Sequence, residues 1–189
     1  MAQPQPTLEE SYAAFCAGDG AAFDIVMREL QQPLTFFIHG YVHSYESAED
    51  LAEETFVELL VHKGRFRGQS SLKTYLFSVA RHKAIDFIRR EQRRSDVPLD
   101  DIVERADEGL SPEEQMIAQE RSGVLIEAIK TLSAEYQEVL RLLYLERLQY
   151  DEIARIMKKS KKQIDNLAYR ARNALRAALG REANFIEEL

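Results

Sequence analysis

The sequence predicts an all-α protein of two small helical domains joined by an acidic linker, with a helix-turn-helix in the second domain. Its 189 residues include only 5 Pro and 8 Gly, while residues that favour helices, such as Ala, Leu, Glu and Arg, are abundant. Apolar residues recur every three or four positions, and no sustained alternation of Val, Ile or Thr indicates strands. The 45% of hydrophobic residues is enough to form a core.

The charge is unevenly distributed along the chain. The net charge is -7, and residues 1–90, 91–120 and 121–189 carry -3, -7 and +3, respectively. Residues 91–120 alone therefore carry a negative charge equal to the net charge of the whole chain. Average acidity consequently says little about the partners of the two domains.

Several classes of protein are excluded by the composition. No apolar run approaches the roughly 20 residues that span a bilayer, and the start, MAQPQPTLEE, lacks the basic flank and apolar stretch of a secretory signal. The single cysteine, Cys16, excludes an intramolecular disulfide and a zinc site built from cysteines. We therefore expect a cytoplasmic protein with no membrane contact of its own.

The first predicted domain, residues 1–94, begins with a capping box. Thr7 followed by Glu10 predicts a helix from about Leu8 to Cys16. A second helix follows over residues 21–43, in which Pro33 is expected to bend or interrupt the apolar stripe.

A third helix is predicted to open at Ser47. Leu51, Phe56 and Leu59 form its apolar stripe. Its outward face carries no basic residue and bears Glu46, Glu49, Asp50, Glu53, Glu54 and Glu58. Taken by itself, such a run is most simply a solvated face.

A loop bracketed by Gly64 and Gly68 leads into a long fourth helix that ends near Arg94. Residues 63–94 hold ten basic and two acidic side chains, interleaved with aromatic ones. We assign Phe77 and Phe87 to the core and Phe66 and Tyr75 to the surface. Because exposed aromatic rings beside cations can stack on unpaired bases, single-stranded DNA is a candidate ligand.

Residues 95–110 are acidic, weakly periodic and interrupted by proline and glycine, so they read as a linker. Ser111 then supplies a helix N-cap, Pro112 occupies the first helical position and Glu114 the third. A second domain is therefore predicted over residues 111–189.

Within the second domain, residues 135–148 read as one apolar-striped helix, and a short helix, DEIARIM, follows. The turn Lys158-Lys159-Ser160 separates this short helix from a longer one, and Ser160 with Gln163 forms another capping box. The longer helix is expected to bury Ile164, Leu167, Ala168, Ala171 and Leu175.

The outward face of the last helix is strongly basic. Between Ile153 and Arg181 there are nine basic residues and one acidic residue, Asp165. A helix fits the major groove of DNA, where cations near its start neutralise phosphates and Asn, Gln and Arg reach base edges. Duplex DNA is thus a second candidate ligand, and a solvated basic helix is the alternative.

Three stretches, in this order, resemble the second and fourth conserved regions of bacterial sigma-70 family RNA polymerase sigma factors. They are SAEDLAEETFVELL, FRGQSSLKTYLFSVARHKAIDFIRR and LSAEYQEVLRLLYLERLQYDEIARIMKKSKKQIDNLAYRARNALRAAL. Their order, spacing and acidic linker resemble the extracytoplasmic-function (ECF) group, which consists of these two domains alone. The resemblance covers roughly residues 8–180.

The resemblance implies a sigma factor that binds core RNA polymerase and directs promoter-specific initiation. The positions implied for docking on the clamp helices of the β′ subunit are Glu49, Asp50, Glu53, Glu54 and Phe56. Those implied for binding and melting the −10 element are Arg65, Phe66, Arg67, Ser70, Lys73, Thr74, Tyr75, Arg81, Lys83, Asp86, Arg89 and Arg90. Those implied for the duplex −35 element are Lys161, Lys162, Gln163, Asp165, Asn166, Tyr169, Arg170 and Arg172.

Further partners are implied in the same way. The apolar surface around the last helix would contact the β flap of the polymerase, the linker would lie along the channel for nascent RNA, and an anti-sigma factor is expected. No cofactor, metal ion or catalytic residue is expected, because no phosphate-binding loop, H-E-x-x-H or Ser/His/Asp motif is visible. His39 and His43 have a metal-binding spacing but lack a further ligand nearby in sequence.

Two departures from the family pattern concern the last helix. Members commonly have Gly where this chain has Lys158, so the turn is expected to differ slightly, and a Thr-Val-Lys-Ser-Arg-like run where it has Gln163 to Leu167. The altered helix leaves open a sigma-like decoy that sequesters an anti-sigma factor. A plain DNA-binding regulator is a third possibility, but it leaves the acidic face of the third helix unexplained.

Overall fold

The computed structural model of this protein describes residues 6–95 and 123–179. The chain divides into two compact units, residues 1–97 and 98–189, and every regular element among the described residues is helical. This agrees with the all-α prediction. No helix in these two ranges combines the length and apolarity needed to cross a bilayer.

Over residues 6–95, the first unit contains four α-helices and one short 3₁₀ turn. They are α1 (Leu8–Cys16), α2 (Ala22–Val42), α3 (Tyr45–Val61), the 3₁₀ turn Lys63–Arg65, and α4 (Leu72–Ser95). Helix α2 packs against each of the other three helices. Their apolar stripes meet in a core that includes the fully buried Val26, Leu34, Ile38, Phe56 and Phe77.

Helix α1 begins as predicted and also helps to start α4. The Thr7 hydroxyl accepts a hydrogen bond from the Glu10 amide, and the Glu10 carboxylate accepts one from the Thr7 amide. The carboxylate of Glu9 reaches across to accept the amide of Leu72 at 2.8 Å. Because the first amides of a helix have no partner within it, this contact satisfies one of them and ties the two helices together.

Of the two effects predicted for Pro33, a bend or an interruption, the interruption does not occur, and the start of α3 differs from the prediction. Helix α2 continues through Pro33 without interruption; Leu30 and Leu34 on either side are fully buried, so tertiary packing offsets the unfavourable proline. Helix α3 begins at Tyr45 and not at Ser47, because Ser44 is the N-cap and its hydroxyl accepts the amide of Ser47.

The second unit is built around its last helix. Over residues 123–179 its elements are α5 (Gly123–Lys130), α6 (Ala134–Leu140), a π-helical turn (Arg141–Leu145), α7 (Tyr150–Met157) and α8 (Lys161–Leu179). Helix α8 packs against α5, α6 and α7. The five residues predicted to face the core are all buried, which confirms the apolar stripe of α8.

The single helix predicted over residues 135–148 is wrong in its second half. Helix α6 passes into the π-helical turn. There the Glu146 amide donates a hydrogen bond to the Arg141 carbonyl, five residues earlier, at 3.1 Å. Arg147 then takes a left-handed conformation, with φ of 54°. The extra residue changes the direction of the side chains, so Leu145 is 40% exposed whereas Leu148 is buried.

Apart from Ser95, which ends α4, the predicted linker over residues 95–110 lies outside the described residues. The predicted helix start at Ser111 lies outside them as well.

Candidate functional site

The acidic face of α3 divides into two parts. Glu49, Asp50 and Glu53 are exposed, and none of them forms an ion pair with another described residue. Glu54 and Glu58, nearer the C-terminal end, are paired with cations from other elements. The first part is therefore available to a cationic partner without breaking an internal contact.

The cations that reach the second part are Arg65 and Lys83. The Arg65 guanidinium lies 2.8 Å from the Glu58 carboxylate. The Lys83 ammonium lies 3.3 Å from the Glu54 carboxylate and 3.5 Å from that of Glu58. Both basic residues were predicted to contact −10 DNA; in this structure each is paired with α3, and the Arg65 side chain is still 58% exposed. The pairing of Lys83 arises because α4 packs on α3.

The same face of α3 lines an open groove of about 620 Å³. Two apolar side chains lie in it, Val57 at 53% and Val61 at 67% exposure. Sequence reasoning missed both residues. The sequence did contain a signal for them. Glu53, Val57 and Val61 are spaced four residues apart, so they lie on the same face of α3. The groove thus combines exposed apolar side chains with carboxylates, which suits an amphipathic, basic partner. Its lining residues are Asp50, Glu53, Glu54, Val57, Glu58, Val61, His62, Arg65 and Lys83.

Phe56, predicted as a polymerase contact, lies in the core. Its side chain is 2% exposed and meets the ring of Phe23 edge to face at 6.3 Å. A side chain with so little exposed surface cannot contact a partner directly, so we correct its role to supporting α3 from beneath.

Phe66 and Tyr75 are half-buried, not exposed as predicted. Their ring centroids lie 5.4 Å apart, and Phe66 also meets Tyr12 edge to face at 5.7 Å. Burial raises the pKa of the Tyr75 hydroxyl, and the nearby Glu58 carboxylate adds to this effect. The two rings therefore form part of an aromatic cluster at the start of α4 and are not a free stacking surface. Of the rings predicted to be core, Phe77 is fully buried and Phe87 is half-buried.

Thr74 is also corrected from a DNA contact to a structural residue. It is 1% exposed, and its hydroxyl lies 2.7 Å from that of Ser71, which accepts the Thr74 amide. Ser70 precedes this turn and Lys73 lies within it; both are half-buried, and the Lys73 ammonium lies 5.6 Å from the centre of the Phe77 ring.

Several exposed cations of the first unit lie before and along α4. Arg67, Arg89 and Arg90 are exposed, whereas Arg81 is half-buried. Asp86, on the same helix, lies 3.4 Å from the His82 imidazole and 3.7 Å from the Arg89 guanidinium. The structure thus leaves a basic surface on the C-terminal half of α4 that could follow a phosphate backbone.

The turn of the helix-turn-helix has Lys158, and not glycine, as the C-cap of α7. Lys158 takes a left-handed conformation with φ of 52°, and its amide bonds the Arg155 carbonyl at 3.3 Å. The Lys159 ammonium then lies 2.7 Å from the Glu135 carboxylate of α6. The Ser160–Gln163 capping box is confirmed, with distances of 2.8 Å and 3.2 Å.

The outward face of α8 presents most of the predicted DNA-binding set. Its exposed members are Lys161, Lys162, Gln163, Asp165, Asn166, Tyr169 and Arg170. Tyr169 is the most prominent, with 66% of its surface exposed. The side-chain oxygen of Gln163 is already used in the capping box.

Arg172 is the exception on α8. It is half-buried, with its guanidinium 5.8 Å from the centre of the Tyr150 ring at the start of α7. Its Nε is buried and has no hydrogen-bond partner among residues 6–95 and 123–179. The expectation that Arg172 points away is therefore corrected, because the aromatic face of Tyr150 attracts the cation back onto the domain.

Both units of the chain match known protein families. Residues 26–94 match the family Sigma-70 region 2, and residues 122–175 match Sigma-70, region 4. The RNA polymerase sigma-H factor of Pseudomonas aeruginosa is 31% identical over 170 residues, covering 86% of this chain and 88% of that protein. The ECF RNA polymerase sigma factor SigM of Bacillus subtilis is 34% identical over 140 residues, covering 72% of this chain and 82% of that protein.

The fold is also similar to that of a solved sigma factor. RpoE of Bartonella quintana, in its complex with the anti-sigma factor NepR, is 22% identical, with a TM-score of 0.63, and the match covers 85% of this chain and 98% of that chain. With the two matched regions and the relatives above, the chain belongs to the ECF group of the sigma-70 family, and it is a sigma factor that directs transcription initiation by RNA polymerase.

Proposed function

We propose that this sigma factor docks on core RNA polymerase through the groove of α3, and that it contacts the −10 and −35 promoter elements with α4 and α8, respectively. The observation that carries the proposal is the groove itself. It combines Asp50 and Glu53, which form no ion pair within the described part of the chain, with the exposed Val57 and Val61. Exposed apolar side chains rimmed by charge mark protein interfaces, and the clamp helices of the β′ subunit are the proposed partner.

Contact with −10 DNA is assigned to the cations that the fold leaves on the surface. Arg67, Arg89 and Arg90 are exposed on the same unit as the groove. Phosphate contacts of this kind position a protein on DNA without reading sequence. Phe66 and Tyr75, which are half-buried, would offer only their outer faces and edges to an unpaired base.

Contact with −35 DNA is assigned to α8, which would lie in the major groove. Lys161 and Lys162 stand at its first turn, where cations can neutralise phosphates, and Asn166 and Arg170 are exposed one and two turns further on. The β flap is a further proposed partner of this unit, and Leu145 on the π-helical turn supplies exposed apolar surface for such a contact.

An anti-sigma factor is a proposed regulator of this chain, as in the solved complex of its structural neighbour. Because RNA polymerase works in the bacterial cytoplasm, we place the protein there as well. The decoy alternative shares the anti-sigma factor as a partner but predicts no transcription from any promoter.

The test is run-off transcription on genomic fragments with core enzyme, with and without the full chain. We expect transcripts that depend on the protein and co-purification of the protein with core. Absence of both would overturn the proposal, and binding to core without transcripts would favour a different role.

Charge reversal tests the docking surface itself. The double variant Asp50→Lys and Glu54→Lys is expected to abolish binding to core, because two carboxylates of the groove become cations that repel a basic partner. Glu29→Lys, an exposed residue on α2, is the matched control and should leave core binding unchanged. If the double variant still binds core with wild-type affinity, the interface lies elsewhere on the molecule.

A further inference from the structure

We propose that Asp165 makes this sigma factor select a cytosine in duplex DNA, by accepting a hydrogen bond from the 4-amino group of the base. The inference rests on the proposed contact between α8 and the major groove, and it names the base that one residue reads. Asp165 is the single acidic residue among nine basic ones between Ile153 and Arg181. Such a residue weakens attraction to phosphate, so its place on this face calls for a chemical reason.

The direction of Asp165 is determined by its neighbours. Ile164 is fully buried, and Leu167 and Ala168 are buried as well, so the helix is anchored on the opposite side. The Ser160–Gln163 capping box defines where α8 begins. Asp165 is therefore held outward within the first two turns, the part of a recognition helix that meets base edges.

The carboxylate of Asp165 has no internal partner among the described residues. Lys161 and Lys162 precede it by four and three positions, which is close enough for an ion pair, yet neither forms one. Arg170 instead bonds the main-chain oxygen of Asn166 through its Nε at 3.4 Å. An exposed carboxylate left unpaired among cations is an acceptor that is available for a donor on DNA.

Base chemistry then identifies the donor. An ionised carboxylate only accepts hydrogen bonds, and in the major groove guanine and thymine present acceptors or a methyl group. Adenine offers an amino group, but its N7 acceptor lies beside it and would repel the second carboxylate oxygen. Cytosine carries its amino donor without a neighbouring acceptor on the same base, so it is the base that the Asp165 carboxylate favours.

The neighbouring cations make this arrangement feasible. Lys161, Lys162 and Arg170 are exposed on the same helix and supply the phosphate attraction that the carboxylate opposes. Removing the carboxylate should therefore have two opposite effects: stronger binding to duplex DNA in general and weaker preference for cytosine. A purely structural role for Asp165 would produce neither.

The experiment uses holoenzyme assembled from core RNA polymerase and the full chain. Duplexes are first selected from a library randomised across the upstream promoter element. Binding is then measured on the selected duplex, and on the same duplex with each candidate cytosine replaced by pyrimidin-2-one, which lacks the 4-amino group. Wild-type, Asp165→Ala and Asp165→Asn proteins are compared, and Glu127→Gln on α5 is the control because it removes the same charge at an exposed position outside α7 and α8.

At one position we expect wild-type holoenzyme to lose affinity roughly 5- to 150-fold when the amino group is removed, the range for one good base contact. Asp165→Ala should reduce that loss to less than about 2-fold, and Asp165→Asn should shift the preference toward adenine, which pairs with an amide. Glu127→Gln should behave as wild type.

The inference is overturned if no cytosine is selected, or if pyrimidin-2-one costs the same affinity with Asp165→Ala as with wild type. Arg170→Ala separates this failure from a failure of the proposed function. If Arg170→Ala weakens duplex binding while Asp165→Ala leaves base preference unchanged, α8 binds DNA and only the cytosine contact is wrong. If neither variant alters binding and no upstream sequence is selected, both the duplex contact and the inference fail.

Discussion

Lys158 holds a left-handed backbone conformation, with φ of 52°, in which side chains other than that of glycine are crowded. Its amide still bonds the Arg155 carbonyl, and the next residue, Lys159, bonds the Ala154 carbonyl at 3.0 Å. These bonds and the packing of Met157 maintain the turn despite the local strain. The geometry of the helix-turn-helix is thus set by its surroundings and not by glycine at the turn.

We expect Lys158→Gly to raise the free energy of unfolding of the second unit by roughly 0.5–1 kcal/mol, because relief of strain exceeds the extra chain entropy of glycine. Urea denaturation followed by circular dichroism measures the change. Lys162→Gly, the same substitution within α8, should instead lower stability by up to about 1 kcal/mol. An equal loss in both variants would show that the turn carries no strain.

Tyr12 is the residue of the first unit whose ionisation should matter most. Its hydroxyl donates toward the carbonyls of Leu59 and Lys63, which lie 3.3 Å and 3.2 Å away, and so holds α1 to the end of α3. Burial raises the pKa of this hydroxyl well above its ordinary value, and the neighbouring Cys16 thiol adds to the effect. The native state therefore favours the neutral phenol.

Tyr12→Phe is expected to lower the free energy of unfolding by about 1 kcal/mol at pH 7, the usual value of one hydrogen bond. The pKa of the Tyr12 hydroxyl is higher in the folded protein than in the unfolded chain, where it is about 10. The stability that the neutral phenol contributes is therefore complete below pH 10 and is lost as the pH rises above it. The difference between wild type and Tyr12→Phe should therefore shrink above pH 10 in urea titrations. Tyr169→Phe, an exposed tyrosine, should show no difference at either pH.

At the scale of elements, α3 and α4 share an ion-pair network. It joins the proposed docking groove to the basic stretch of residues 63–94. Glu58 is its centre, since it contacts both Arg65 and Lys83, and its side chain is 28% exposed. Pairs this close to water contribute little stability each. Their larger effect is to hold the two cations close to the carboxylates of α3.

We expect Glu58→Gln to strengthen binding of the free protein to single-stranded DNA, because it releases Arg65 and removes a negative charge beside the basic segment. Stability should fall by no more than about 1 kcal/mol. Fluorescence anisotropy with a labelled oligonucleotide measures the affinity, and Glu29→Gln on α2 controls for the change in net charge. Equal affinities for Glu58→Gln and Glu29→Gln would show that the network does not restrain Arg65.

For the whole molecule, the charge is divided among segments with different tasks. Residues 63–94 and 153–181 each carry a balance of +8, whereas residues 91–120 carry -7. Arg90 and Arg170 occupy equivalent situations in the two units: each is exposed, and its Nε bonds the main-chain oxygen four residues earlier. Neither guanidinium group forms an ion pair with another described residue, so both are suited to bind phosphate.

Holoenzyme binding to promoter DNA is expected to weaken steeply with salt. Arg90→Ala and Arg170→Ala should each reduce the slope of log affinity against log salt by about 1, and the double variant by about 2. Arg28→Ala, an exposed arginine on α2, should leave the slope unchanged. A double variant whose slope equals that of wild type would remove both residues from the DNA contact.

Much of this fold was predictable because its signals are local. Capping boxes at Thr7 and Ser160, and the apolar spacing along α8, depend on residues three or four positions apart, and the structure confirms them. The π-helical turn was not predictable, because a helix with one inserted residue still shows apolar residues every three or four positions in its sequence. Only the packing of these residues reveals the insertion. Nor was the continuity of α2 through Pro33, which depends on the buried neighbours of that residue.

The sequence by itself determined the helical class, the family, the acidic face of α3 and the basic face of α8, because each is carried by spacing and charge within one segment. Only the tertiary structure decided which of those residues are accessible. It buried Phe56 and Thr74, drew Lys83 and Arg65 onto α3, turned Arg172 toward Tyr150 and exposed Val57 and Val61 in a groove. The physical reason is that burial and pairing depend on contacts between elements far apart in the chain, which periodicity within a single helix does not encode.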